Sequence, residues 1–143
     1  MRNILLLLIL INLAGCESSE DVVISSKCIK INLEMVDAIN SGFSTDVYKI
    51  KADTAMAIKS NDFKKVYFIA ALVDGMNSEE VAIWTSNSLQ AGEGMIMSIN
   101  EVAIKSSLWP DGKKTKANIL LSDHGVSESE ECVLRLVRRS DKR

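Results

Sequence analysis

The stretch KKVYFIAALV, residues 64–73, decides the fold. Aromatic and β-branched residues fill its centre, and nothing charged interrupts residues 66–73. A strand with one wet face alternates apolar and polar residues, whereas a short continuous apolar run fits a central strand buried on both faces. Asp74-Gly75 opens a turn that continues to Glu79. Residues 80–87 then set Val81, Ile83 and Thr85 against Ala82, Trp84 and Ser86, the alternation of a second strand. Residues 88–94 form a loop and residues 95–99 a third strand. Connections this short favour an antiparallel meander.

On the C-terminal side, Asn100 can cap a short helix to Leu108, and Trp109-Pro110-Asp111-Gly112 is a turn signature. Residues 115–121 are expected as a fourth strand, with Ala117, Ile119 and Leu121 on one face. Ser122-Asp123-His124-Gly125 turns the chain into a last helix, whose capping box is Ser127 with Glu130. That helix places Val133, Leu136 and Val137 on one face beside Cys132. Its acids Glu128, Glu130 and Glu131 lie at the N-terminus and Arg135, Arg138 and Arg139 at the C-terminus, as the helix dipole favours.

On the N-terminal side, Ile29, Leu33, Val36 and Ile39 recur at helical spacing over residues 29–40, although residues 29–33 also alternate like a strand. Ser44, Thr45 and Asp46 can cap a second helix over residues 44–59, with Val47, Ile50, Thr54, Ala57 and Ile58 on its apolar face. The expected fold class is therefore α+β: a two-layer domain with an about four-stranded, mostly antiparallel sheet and helices packed on one face. It occupies residues 28–143, and it carries the signature of no named family.

Residues 1–15 read differently. Arg2 is followed by an aliphatic run, residues 4–13, broken only by Asn12. The run is shorter than the ~20 apolar residues that span a bilayer, and it has the order of a secretory signal. Leu13-Ala14-Gly15-Cys16 resembles the lipobox of bacterial lipoproteins. The resemblance implies cleavage before Cys16, a diacylglyceryl group on its sulfur and acylation (palmitate or a similar chain) of its amine. It also implies residence in the bacterial cell envelope. Glu17 rather than Asp follows Cys16, which favours the outer membrane, facing the periplasm, in a Gram-negative cell. Residues 16–27 then comprise the lipidated cysteine and an acidic, Ser-rich tether.

Removing residues 1–15 from the 143 leaves 128, one domain's worth. The whole chain carries −2 and the mature part −3, because Arg2 is the leader's one charge. A mildly acidic exported domain does not suit nucleic acid as a partner. Cys28 and Cys132 are left as an even pair in an oxidising compartment, and a disulfide between them is the expected state. With no C-x-x-C, no Asp, Glu or His grouped into a metal-ligand motif and one histidine, no metal or cofactor is expected.

Ser122-Asp123-His124 holds the three residue types of a hydrolase triad. Neighbouring side chains do not converge as a triad requires, so the segment reads as a turn. Ala91-Gly92-Glu93-Gly94 lacks the third glycine of a dinucleotide loop, since Met97 stands there. Met35, Met56, Met76, Met95 and Met97 could suit Cu(I) only if the fold gathered them. Trp109 with Lys113, Lys114 and Lys116 is the candidate interaction surface, aromatic and basic together. The expected role is a non-enzymatic, membrane-anchored module that binds an envelope protein as an inhibitor, immunity-type or accessory factor. The alternatives are a small cell-wall or lipid hydrolase using His124, and a lipid or small-ligand carrier.

Overall fold

A computed structural model describes residues 27–75 and 80–142. Cys16, the leader, most of the tether, Met76 and Arg143 lie outside the described residues. The order is β1 (Ile29–Lys30), α1 (Leu33–Asn40), β2 (Lys49–Ile50), β3 (Met56–Lys59), β4 (Tyr67–Asp74), β5 (Val81–Ser86), β6 (Met97–Ser98), α2 (Glu101–Ser106) and α3 (Val126–Ser140). The strands form one sheet in the order β1-β3-β4-β5-β6, with β2 also on β4, and every strand pair is antiparallel. The α+β class and the central place of β4 are as expected from residues 64–73.

β4 is buried on both faces, and that has a consequence for the layers. Ile69, Ala71 and Val73 join Ala82 and Trp84 of β5 in a core closed by Met35, Val36 and Ile39 of α1. Phe68, Ala70 and Leu72 join Val81 and Ile83 in a second core, closed by Val126, Cys132 and Val133 of α3. Helices thus cover both faces of the sheet, not one. A strand with two apolar faces exposes one of them to water unless both are covered. The consecutive small residues Ala70 and Ala71 let a layer approach closely on either side.

Residues 44–59 do not form the expected helix. They run along β4 as a split strand. Ile50 pairs with Val73 and Met56 with Ala70, so six residue steps match three on β4. The surplus is taken up by a 3-10 turn, Ala52–Thr54. Thr54 repairs the ladder there: its Oγ1 accepts from the Leu72 N–H at 3.0 Å and donates to the Lys51 carbonyl at 2.7 Å. The apolar spacing of 47, 50, 54 and 57 mimics a helix because the looped-out residues shift the strand's phase. Val47, expected inside, is exposed.

α1 starts at Leu33, capped by Asn32, whose Oδ1 accepts from the Met35 N–H at 2.8 Å. Residues 29–30 before it are the strand that their alternation allowed. Leu33 is 68 % exposed, and Met35 takes the inner position instead.

The expected fourth strand at 115–121 is a loop. The outer side of β6 is already engaged, because Ser98 donates to the Pro110 carbonyl at 2.8 Å and bridges to Asp111. Residues 112–119 instead close on the Gly112 carbonyl, which accepts from Ile119 N and from Thr115 Oγ1. Ile119 is buried, Ala117 and Leu121 are not. The start of α3 also differs. Gly125 stands before the first turn with φ +104°, and the Glu128 carboxylate accepts from its N–H at 2.8 Å. This one-sided cap, made by Glu128 alone because Gly125 has no side chain, sits two residues earlier than Ser127 with Glu130.

Cys28 and Cys132 form the expected disulfide, with Cα atoms 6.0 Å apart and a sequence separation of 104. It fastens the chain entering the edge strand β1 to the inner side of α3.

Candidate interaction surface

Two devices position the surface around α2. Asn100 caps the helix, its Oδ1 accepting from Ala103 N at 3.1 Å, while the same amide accepts from Ile83 N and donates to the Val81 carbonyl at 2.8 Å. On the inner side, Ser107 Oγ donates to the Ala103 carbonyl at 2.7 Å and meets Ser98 Oγ at 3.0 Å. The Trp84 indole N–H reaches Ser107 at 3.5 Å, the longest link of this buried hydroxyl chain. α2 is short, but it is held at its start and at its end.

Between α2 and the loop 111–122 lies an open groove of about 580 Å³. Ile99 and Ile119 form its floor. Ile104, 38 % exposed, and Leu121, 59 % exposed, stand on its walls. Its rim carries Glu101, Asp111, Lys113 and Lys114. Asp111 caps the 3-10 turn Gly112–Lys114 through the Lys113 N–H and pairs with Lys114 at 3.5 Å. Glu101 pairs with Lys105 at 3.1 Å.

The four residues singled out in sequence therefore separate. Lys113 and Lys114 reach the groove, and Lys116 is exposed nearby in sequence. Trp109 turns the other way. Its ring packs against the first core and its Nε1 donates to the Ile39 carbonyl at 3.0 Å. The ring lies so close over Gly42 that a Cβ there would overlap the indole. Leu121, expected with Ile119 on one face of a fourth strand, is left uncovered because that strand does not form, and Ile104 lies in the expected short helix, whose period gave no sign of which residues would be exposed.

His124, Asp123 and Ser122 do not converge. Asp123 Oδ2 accepts from the Leu120 N–H, and the His124 ring, exposed on its turn, faces Glu128 at 3.3 Å and Asn61 at 3.5 Å. The His124 backbone N–H is held by Asp62. Burial would raise the Glu128 carboxyl, but its own and Gly125's backbone N–H groups, the His124 ring and the Ser127 hydroxyl together hold it below its ordinary 4.5. Glu131 is lowered chiefly by the hydrogen bond from Arg135, which outweighs burial, and further by the charges of Arg135 and Arg138.

The methionines do not gather either. Met35 belongs to the first core, Met56 and Met97 to the second, and Met95 is exposed. Among the described residues no group of three His, Cys, Asp or Glu side chains could hold a metal ion. No helix among them is long and apolar enough to cross a membrane. Comparison with known protein families, curated proteins and solved structures finds no match to this chain.

Proposed function

We propose that this chain is an exported bacterial lipoprotein, acylated at Cys16, whose domain is a non-enzymatic protein-binding module of the inhibitor, immunity or accessory type. The groove between α2 and the loop 111–122 is its contact surface. The observation that carries this reading is the pair Ile104 and Leu121, exposed around an apolar floor and rimmed by Lys113 and Lys114. An apolar centre within a polar rim is the anatomy of a protein interface. The lipobox resemblance of residues 13–16 supports the anchor, and the disulfide suits an oxidising compartment.

The test is photocrosslinking in intact cells with a photoreactive residue at Leu121, and at Val47 as a control outside the groove. A single dominant protein adduct at 121, absent at 47 and lost on Ile104→Glu, is expected. Equal adducts at both sites, or adducts indifferent to Ile104→Glu, would remove the groove from the reading. Labelled palmitate is expected to enter the wild-type chain and not Cys16→Ser.

A further inference from the structure

Arg135, Arg138, Arg139 and Lys142 follow one another at i, i+3, i+4 and i+7. On a helix that spacing places four cations on one side. α3 carries the first three, and Asp141 keeps helical dihedrals (φ −70°, ψ −16°), so the spiral continues to Lys142. The opposite side of α3, with Val126, Ser129 and Val133, is buried on the sheet. The C-terminal part of the basic side therefore points away from the protein, whereas Arg135 is half-buried. Arg138 exposes 68 % of its side chain, and Arg139 and Lys142 are exposed.

The acids facing this stripe are few. Glu131 is taken by Arg135, whose Nε lies 2.8 Å away, and Arg138 reaches it at 3.9 Å. Asp141 is the other acid of this end, while Glu128 and Glu130 lie toward the helix start. Along its length the outer side of α3 changes from acidic to basic, and the change falls at Cys132, which is bonded to Cys28.

That bond sets where the tether from Cys16 joins the fold. Residues 17–27 lead from Cys16 to Cys28, and eleven extended residues reach at most ~40 Å. An anchor on Cys16 is held within that reach of the place where α3 becomes basic. We infer that the basic side of the C-terminal half of α3 docks on an anionic phospholipid surface. The inference takes its membrane from the lipid-anchor reading, and its surface from the charges alone.

The test uses the full chain carrying Cys16→Ser, with phosphatidylcholine vesicles made with and without phosphatidylglycerol, at low salt. The leader carries Arg2 and the terminal amine and adds its own preference for the anionic vesicles, so the contribution of α3 is read as the part of the difference that its substitutions remove. Stronger partition onto the anionic vesicles is expected, with loss of the difference at high salt. Arg138→Gln with Arg139→Gln should lower anionic partition about thirtyfold and leave neutral partition unchanged. Lys113→Gln with Lys116→Gln makes the same charge change elsewhere and should alter neither. Equal partition on both vesicles overturns the inference, as does an equal loss from the Lys113 and Lys116 changes. Palmitate labelling of the unaltered chain reads the anchor separately. A labelled chain without vesicle preference keeps the anchor and overturns the docking, whereas vesicle preference without label does the reverse.

Discussion

Asn100 joins three pieces of chain through one side-chain amide: the start of β5 at Val81 and Ile83, the start of α2 at Ala103, and its own place after β6. Two backbone N–H groups and one carbonyl depend on it. Asn100→Ala leaves all three without that partner. A lost N-cap costs about 1 kcal/mol, and each buried group left unpaired costs about 1–3 kcal/mol. The sum is an expected loss of about 3 kcal/mol or more, read as a lower urea midpoint with an unchanged slope. Asn100→Asp should recover only part of it, because a carboxylate keeps the acceptor and loses the donor to Val81.

Two elements carry testable physics. In the split strand, Thr54 replaces a missing backbone partner of Leu72. Thr54→Val keeps the shape and removes the oxygen, so the buried Leu72 N–H is left without it, at a cost of about 1–3 kcal/mol. Chemical denaturation should show the loss, and amide exchange should place it at Leu72. At the start of α3, Glu128 has its pKa lowered on folding. Its contribution is therefore present above its ordinary value of 4.5 and is lost as pH falls through the lower folded value. The group is well exposed, so the effect is small. Glu128→Gln should lower stability at neutral pH and flatten the acid limb of the stability curve below about 4.5, measured by thermal unfolding against pH.

For the whole molecule the disulfide and the doubly covered sheet act together. Cys28 and Cys132 tie the first strand to the last helix across 104 residues. Closing a loop of that size is worth up to ~4.7 kcal/mol in the chain-entropy model. Cys28→Ser with Cys132→Ser should lower the melting temperature by about 10 °C or more. Reductant should lower it for the unaltered chain and leave the double variant unmoved. The same bond gives the domain its proposed orientation, since it brings the tether to α3. Arg138 and Arg139, proposed to face a membrane, and Ile104 and Leu121, proposed to face a partner, lie on different elements of the domain.

Local signals determined much of this from sequence. The apolar run at 66–73, the alternation at 81–86, the Asn100 cap, the amphipathic last helix and the cysteine pair were all legible, because each depends on neighbours along the chain. The tertiary structure alone decided the rest. Residues 49–59 became a split strand because β4 offered an open edge, and pairing with it outweighed a helical spacing that a 3-10 turn had produced. Residues 115–121 failed to become a strand because Pro110 and Asp111 had already engaged the edge that they needed. Trp109 turned inward because Gly42 left room for an indole and Ile39 offered it a carbonyl. In each case the deciding partner is distant in sequence, so its effect exists only once the chain has closed on itself.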